Sequence, residues 1–177
     1  MKYLINVVRL VTGGVFALTV SLAFAQASGP SDAQIAAIVV AANSVDIDAG
    51  KLAKSKSKNK QVKEFAQLMI TDHTGVNKQA VALVNKLNVT PEENDISRGL
   101  KSDGAATLEK LNGLKGAAFD KAYVANEVTY HQAVLDAIDK TLLPNAKNAE
   151  LKGMLEKVRP AIDAHLQHAK HIQSSLK

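Results

Sequence analysis

The sequence contains no cysteine. This absence excludes a disulfide-stabilised scaffold, and it also excludes a lipid-modified cysteine at the start of an exported chain. A domain without disulfides must be stabilised by side-chain packing, or by packing together with a metal ion. The chain of 177 residues is long enough to bury a substantial core.

The N-terminal region lacks an apolar run long enough to span a membrane. Residues 10–25 form an apolar run of 16 residues, whereas a membrane-spanning helix needs about 20. Lys2 and Arg9 precede this run, and Ala23-Phe24-Ala25 ends it with the small-x-small pattern that signal peptidase cuts. These features predict a cleaved secretory signal peptide over residues 1–25 and a mature domain over residues 26–177 with no transmembrane segment. We therefore expect a periplasmic protein, with outer-membrane association left open; an uncleaved membrane anchor is the alternative.

Residues 51–63 contain no acidic residue but six lysines: Lys51, Lys54, Lys56, Lys58, Lys60 and Lys63. No aromatic residue lies among them for base stacking, and the mature formal charge, 20 basic against 17 acidic residues, is only +3. A nucleic-acid partner is therefore not expected. Two interpretations stay open: a solvated turn between helices, or a surface that contacts anionic envelope material such as lipid head groups.

No stretch of the chain alternates apolar and polar residues as a β-strand does, whereas four segments repeat apolar residues with helical spacing. The first begins at a capping box, Ser31-Asp-Ala-Gln34, and fades in the polar residues 54–60. The other three cover about residues 61–87, 117–143 and 149–172. Pro144 stops the third segment, and Pro160 predicts a bend or a break inside the fourth.

The lengths of the connections predict the topology. Short connections join the first helix to the second and the third to the fourth, so each pair forms an antiparallel hairpin. Residues 88–116 lie between the hairpins and are long enough to return along the bundle. Thr90, with Pro91 after it, predicts the start of a helix there, and Leu108, Leu111 and Leu114 predict a second short turn. We therefore expect an all-α protein, a ferritin-like four-helix bundle with a long crossover between its second and third helices.

Three of the five histidines recur at every third residue, at His165, His168 and His171. Each residue turns a helix by about 100°, so these three form a spiral and do not share one face. Only His165 lies on the apolar seam of its helix, the row of apolar residues along one side. A metal-binding strip is therefore not expected here.

A different set of histidines lies on the seams of three helices: His73, His131 and His165. Each lies near the middle of its helix, so the three imidazoles are expected to converge in the core. Asp46 faces inward on one of the two apolar seams possible for the first helix, and Glu127 lies one turn before His131. These five residues suit a divalent transition metal such as zinc, iron, manganese or copper. A buried polar network without a metal is the alternative, with each histidine bonded to a carboxylate, Tyr130 or a backbone carbonyl.

The segments around these histidines resemble a bacterial envelope family known as domain of unknown function 4142. The resemblance is carried by "VKEFAQLMITDH" ending at His73, "LNGLKGAAFDKAYVANEVTYH" ending at His131, and "AIDAHLQHA" around His165. It covers nearly all of residues 31–176. The resemblance implies a ferritin-like fold, an outer-membrane or periplasmic location and a shared role for the three histidines. It implies no particular activity.

The mature sequence contains no Glu-x-x-His pair, the ligand motif that di-iron bundles carry on two of their helices. Di-iron chemistry is therefore not expected from the fold alone. No nucleophile elbow, phosphate-binding loop or paired-glutamate motif indicates a named reaction either. The sequence thus favours a binding protein of the envelope, holding a metal or a small ligand in metal handling or stress protection. The alternatives are a metal-free structural module and, less favoured, an oxidase.

Overall fold

The computed structural model describes residues 29–176. The predicted signal peptide, residues 1–25, lies outside the described residues. Within them, no helix combines the length and the apolar character that crossing a membrane requires.

Residues 29–176 contain helices and no strand, which confirms the all-α prediction. The helices are α1 (Asp32–Lys56), α2 (Lys60–Lys86), α3 (Asp95–Asn112), α4 (Gly116–Ala137), the short α5 (Leu143–Asn145) and α6 (Ala149–Ser175). A π-helical turn over Ile138–Leu142 joins α4 to α5. The four predicted segments correspond to α1, α2, α4 with its extension, and α6.

The start of α1 is the predicted capping box. The Gln34 backbone N–H donates to Ser31 Oγ, and the Ser31 N–H donates to Gln34 Oε1. Of the two possible seams of α1, the buried one contains Asp46, which is 1% exposed. Val45, on the alternative seam, is only half-buried. This register places a carboxylate inside the core.

The prediction of a helix start at Thr90 is wrong. Residues 90–94 are not helical, and α3 begins at Asp95. Asn94 caps this helix by accepting from the Ser97 N–H, while Ser97 Oγ accepts from the Asn94 N–H. The Glu92 N–H instead donates to the carbonyl of Ala33, which ties this segment to the start of α1. A tertiary contact and a stronger downstream cap therefore override the local capping signal at Thr90.

The crossover contains one helix of 18 residues where two short pieces were predicted. Leu108 and Leu111 both belong to α3, which packs mainly on α1. Gly104 is buried at this contact, and a Cβ atom there would lie 2.7 Å from Cγ2 of Val45. The absence of a side chain at Gly104 is what lets α3 approach α1 so closely.

Pro160 does not break the last helix. α6 runs without interruption from Ala149 to Ser175. Pro160 lies on its exposed side. Pro144, in contrast, lies in the last turn after α4, as predicted.

Contacts at the two ends define the helix directions. At the Asp32 end, the Asp32 carboxylate accepts from the backbone N–H groups of Lys147 and Asn148, so α1 and α6 start at the same end. At the opposite Lys56 end, Lys56 Nζ donates to the carbonyl of Asn112, where α3 ends. α1, α3 and α6 therefore run from the Asp32 end to the Lys56 end, and α2 and α4 run back.

Two apolar clusters fill the core, one toward each end. Members of the first include Ile35, Leu142 and Leu151, and members of the second include Val62, Phe119 and Ile172. On α2, Met69 belongs to the second cluster and Ala80 to the first, and His73 lies between them. Asp46 on α1, Glu127 and His131 on α4, and His165 on α6 lie at the same height as His73. The core therefore consists of two apolar layers with a polar layer between them.

Candidate metal centre

His73, His131 and His165 converge in this polar layer. Their ring centroids are 5.7 Å apart for His73 and His131, 5.3 Å for His73 and His165, and 5.4 Å for His131 and His165. All three residues are at most 5% exposed. The heptad spacing on three separate helices predicted this convergence.

The other two histidines of α6 are exposed, as predicted. His168 lies edge-on against the ring of Phe65, with centroids 5.2 Å apart. His171 makes no contact with the three buried imidazoles. The triplet spacing of histidines on α6 is thus a coincidence of sequence.

Asn43 fixes the protonation of His73. The Asn43 amide nitrogen donates to the carbonyl of Val39, and its oxygen therefore faces His73 Nδ1 at 2.6 Å. An amide oxygen only accepts, so Nδ1 of neutral His73 carries the proton. In the neutral ring the lone pair is then on Nε2, which faces Oδ2 of Asp46 at 2.6 Å.

The other two imidazoles are held in the same way. Nδ1 of His131 lies 3.0 Å from the carbonyl oxygen of Glu127, and Nε2 of His165 lies 2.9 Å from Oδ2 of Asp72. Both partners accept hydrogen bonds, so these nitrogens are the donors. Nε2 of His131 and Nδ1 of His165 are left buried without a partner. Each imidazole thus has one oriented N–H and one free lone pair.

Asp46 contributes further acceptors to the same space. Its Oδ2 lies 2.6 Å from Nε2 of His73 and 3.5 Å from Nε2 of His131. Two acceptor atoms at 2.6 Å repel each other, so the contact between Asp46 and His73 needs a proton or a cation between the two atoms. The cluster is therefore rich in acceptors and poor in protons.

Asp46 and Glu127 are both fully buried but differ in charge. Burial raises the pKa of Glu127 well above its usual value, and the nearby charge of Asp46 raises it further. For Asp46, burial also disfavours the anion, but the neighbouring His73 and His131 reverse this and lower its pKa. We therefore assign Asp46 as the carboxylate and Glu127 as the protonated acid when only protein groups are present.

The two histidines with shifted pKa values are neutral at pH 7. Burial lowers the pKa of His131 to about 4, against the opposing effect of Asp46. Burial likewise lowers the pKa of His165, although Asp72 partly offsets it. Neutral imidazole is the form that binds a metal ion.

Side chains next to the cluster form further polar contacts around it. The Asn126 amide nitrogen lies 3.5 Å from Glu127 Oε1, and the Tyr130 hydroxyl donates to the carbonyl of Ala42 at 2.8 Å. Sequence reasoning placed Tyr130 beside the histidines but missed Asn43 and Asn126. Asn43 lies three residues before Asp46, about one turn away on the same helix face, and that spacing is the signal that points to it.

The cluster offers two overlapping groups of three ligand atoms, each close enough together to hold a cation. Ligand atoms of His73, His131 and His165 all lie within 4.8 Å of one another, as do those of Asp46, Glu127 and His131. These two groups share His131. Three imidazole nitrogens with one or two carboxylates match the donors that zinc, iron, manganese and copper accept in proteins.

The family model described as Domain of unknown function (DUF4142) matches residues 18–172. The chain belongs to this family. No curated protein and no solved structure matches the chain. All five residues of the cluster lie inside the part matched by the DUF4142 model.

The predicted lysine cluster of this DUF4142 domain lies at the Lys56 end. Five of its six lysines are exposed, and Lys56 is half-buried against the α3–α4 turn, with Nζ 5.5 Å from the Phe119 ring centroid. The end of α3, the following turn and the start of α4 bring three more exposed lysines to the same end: Lys110, Lys115 and Lys121. The basic surface thus contains residues from two separate turns.

Proposed function

We propose that this DUF4142 protein is a ferritin-like four-helix bundle that binds one divalent transition-metal ion in its polar layer. His73, His131 and His165 supply three nitrogens, and Asp46 supplies a carboxylate oxygen. Glu127 lies beside them as a further ligand or as a hydrogen-bond partner of Asp46. Zinc, iron, manganese and copper all accept this donor set.

One observation supports a metal most strongly: each imidazole has its N–H held by an acceptor while its other nitrogen is buried without a partner. Metal-binding histidines in proteins have this arrangement, because the second hydrogen bond fixes the tautomer and the ring orientation. In this protein, the orienting acceptors are Asn43, the Glu127 carbonyl and Asp72.

The alternative is a hydrogen-bonded network without a metal, in a structural module of the envelope. Such a network needs donors for three imidazole lone pairs and the oxygens of Asp46. Among the cluster's own groups, a protonated Glu127 offers one proton, and a second proton on the His73 ring would pair its Nε2 with Asp46. Leaving a buried polar group unpaired costs roughly 1–3 kcal/mol, so a cation that satisfies several acceptors at once is the better fit.

Metal analysis of tag-free protein, isolated from the periplasm without chelator, tests the proposal first. Calorimetric titration then compares the wild type with the variant in which His73, His131 and His165 are all replaced by alanine. We expect one tight equivalent of divalent metal in the wild type and its loss in the variant. The matched control is the double variant His168→Ala, His171→Ala, which should bind like the wild type. Equal, weak uptake by wild type and triple variant would establish the metal-free network instead.

We place the protein in the periplasm, with a role in metal handling or envelope stress. The signal-like residues 1–25 support export. Mature protein from the native host should begin near Gln26, which intact-mass measurement decides. Recovery of the full-length chain in the inner membrane contradicts this location.

The lysines at the Lys56 end favour a second role, contact with an anionic envelope surface. Eight exposed lysines lie at one end of the bundle, and clustered lysines attract anionic head groups. Co-sedimentation should show binding to vesicles containing anionic lipid and none to purely zwitterionic vesicles. Replacing Lys54, Lys58 and Lys115 by glutamine should weaken it, whereas replacing the exposed Lys152 and Lys157 on α6 should not.

A further inference from the structure

A cavity of about 320 Å³ lies between α3 and α4, with α1 as its floor. It exists because α3 packs closely on α1 at Gly104 but makes few contacts with α4. The cavity is separate from the space between the imidazoles. Ligand-binding cavities in proteins have volumes from about 300 Å³ upward, so its size suits a small molecule.

The lining of this cavity is mainly apolar and carries a charged residue at one position only. Its walls include Val45, Leu100, Ala133, Val134 and Ile138. No lysine, arginine or histidine lines it, and its one acidic residue, Asp103, is exposed. An anionic ligand would have no counter-charge here, and a cation would have to leave water for a mainly apolar wall.

A few polar groups are present on the α4 side of the cavity. Asn126 and Tyr130 both line it, and Asn43 lines it from α1. Tyr130 and Asn43 already bond to Ala42 and His73, whereas the amide oxygen of Asn126 bonds to no residue that the structure describes. A ligand with one hydrogen-bond donor can therefore donate to the amide oxygen of Asn126. Asn43 and Asn126 are also the residues that contact His73 and Glu127, so this cavity and the histidine cluster share a wall.

We propose that this cavity binds an uncharged, mainly apolar small molecule. At the packing density of protein interiors, about 0.75, the cavity holds roughly 240 Å³ of ligand. That volume corresponds to a two- or three-ring aromatic molecule or a chain of about a dozen carbons, and it is too small for a helix. The site is formed by protein side chains alone, so it does not depend on the metal proposed above.

Fluorescence titration with N-phenyl-1-naphthylamine, a neutral aromatic amine of this size, tests the site. We expect saturable binding of one equivalent that changes little with ionic strength. The sulfonated anion of the same ring system, 8-anilinonaphthalene-1-sulfonate, should fail to displace the neutral probe, because no cation lines the cavity. Displacement of the neutral probe by this anion at equal concentration would contradict the proposed lining.

Cavity-filling variants locate the bound probe. Ala133→Phe places a ring in the cavity from α4 and should weaken probe binding at least tenfold. Ala105→Phe, on the exposed face of α3 outside the lining, is the matched control and should bind like the wild type. Ala137→Leu fills the same space less drastically and carries the test if Ala133→Phe does not fold.

Absence of saturable binding in the folded wild type, or unchanged binding in a folded filled variant, overturns the proposal. The triple histidine variant separates the two sites, because it loses metal binding while probe binding persists.

Discussion

The side-chain oxygen of Asn43 lies 2.6 Å from Nδ1 of His73, and it can only accept a hydrogen bond because the amide nitrogen of Asn43 is bonded to Val39. This pair connects α1 to α2 inside the polar layer. It sets which nitrogen of His73 carries the proton and therefore where its lone pair points. A residue that never touches a metal ion thus controls one of the proposed ligands.

Replacing Asn43 by leucine removes this control while roughly keeping the side-chain volume. We expect the affinity for zinc to fall by about 10- to 100-fold, the usual effect of losing an orienting partner. Calorimetric titration measures the change. Asn85→Leu, at an exposed position of α2, serves as the control and should leave the affinity unaltered. Equal affinities of wild type and Asn43→Leu would contradict the assigned tautomer.

The histidines of α6 should differ sharply in their contribution to stability. His165 is buried and bonded to Asp72, so His165→Ala should lower the free energy of unfolding by about 2 kcal/mol or more, through the cavity it leaves and the lost hydrogen bond. His168 and His171 are exposed, and their alanine variants should change it by no more than about 0.5 kcal/mol. Urea denaturation with chelator present measures all three. Equal losses at the three positions would show that the seam of α6 is misassigned.

The sequence contained enough information to place these histidines, but not their partners. Regular seams on α2, α4 and α6 put His73, His131 and His165 at one height, because helical periodicity is set locally. On α1 two seams one residue apart were equally apolar, and only packing decided that Asp46 faces inward. Asn43 and Asn126 were missed because an asparagine on a helix has no periodic signature, and its role depends on contacts across the bundle.

The crossover was the least predictable part of the fold. Thr90 carried a good local cap, but the contact between Glu92 and Ala33 joins residues far apart in sequence, and it moved the helix start to Asp95. The cavity beside α4 could not be predicted from the sequence either. It results from the approach of α3 to α1 at Gly104, which is a property of the packed helices and not of either helix alone.

The lowered pKa of His131 predicts how stability depends on pH. Its pKa is about 4 in the folded protein, below the value of about 6.5 for an exposed imidazole, so the unfolded chain binds the proton first as the pH falls. This contribution is fully present above pH ~6.5 and is lost between that pH and about pH 4, by on the order of 3 kcal/mol. Denaturation in chelator between pH 8 and pH 4 measures it. His131→Asn should flatten the slope, and His171→Asn should not.

The raised pKa of Glu127 predicts a pH dependence of stability with the opposite sign. Its folded pKa is raised well above its usual value, so ionisation of Glu127 is harder in the folded protein than in the unfolded chain. Stability is therefore not reduced by this group below pH ~4.5, and it falls as the pH rises above that value. In metal-free protein at pH 8, Glu127→Gln should therefore be more stable than the wild type by more than the ~0.5 kcal/mol scatter of surface substitutions. The difference should shrink as the pH approaches 4.5. A variant less stable than the wild type at pH 8 would show that Glu127 is not the protonated partner.

We expect Asp46 and Glu127 to have different roles: Asp46 is a metal ligand, and Glu127 is a supporting group. Oδ2 of Asp46 lies 2.6 Å from Nε2 of His73 and 3.5 Å from Nε2 of His131, so we expect Asp46 to bind the metal directly. Asp46→Asn keeps the shape but removes the charge, and it should lower metal affinity at least as much as His73→Ala, by about tenfold or more.

Glu127→Gln should lower metal affinity less than Asp46→Asn, because an amide can still donate to Asp46 and the charge of Asp46 is retained. Metal should raise the melting temperature of Glu127→Gln in a concentration-dependent way, since the ion binds the folded state preferentially. The same metal should leave Asp46→Asn nearly unchanged. A larger loss of affinity in Glu127→Gln than in Asp46→Asn would reverse the two roles and place the ion nearer to α4 than to α1.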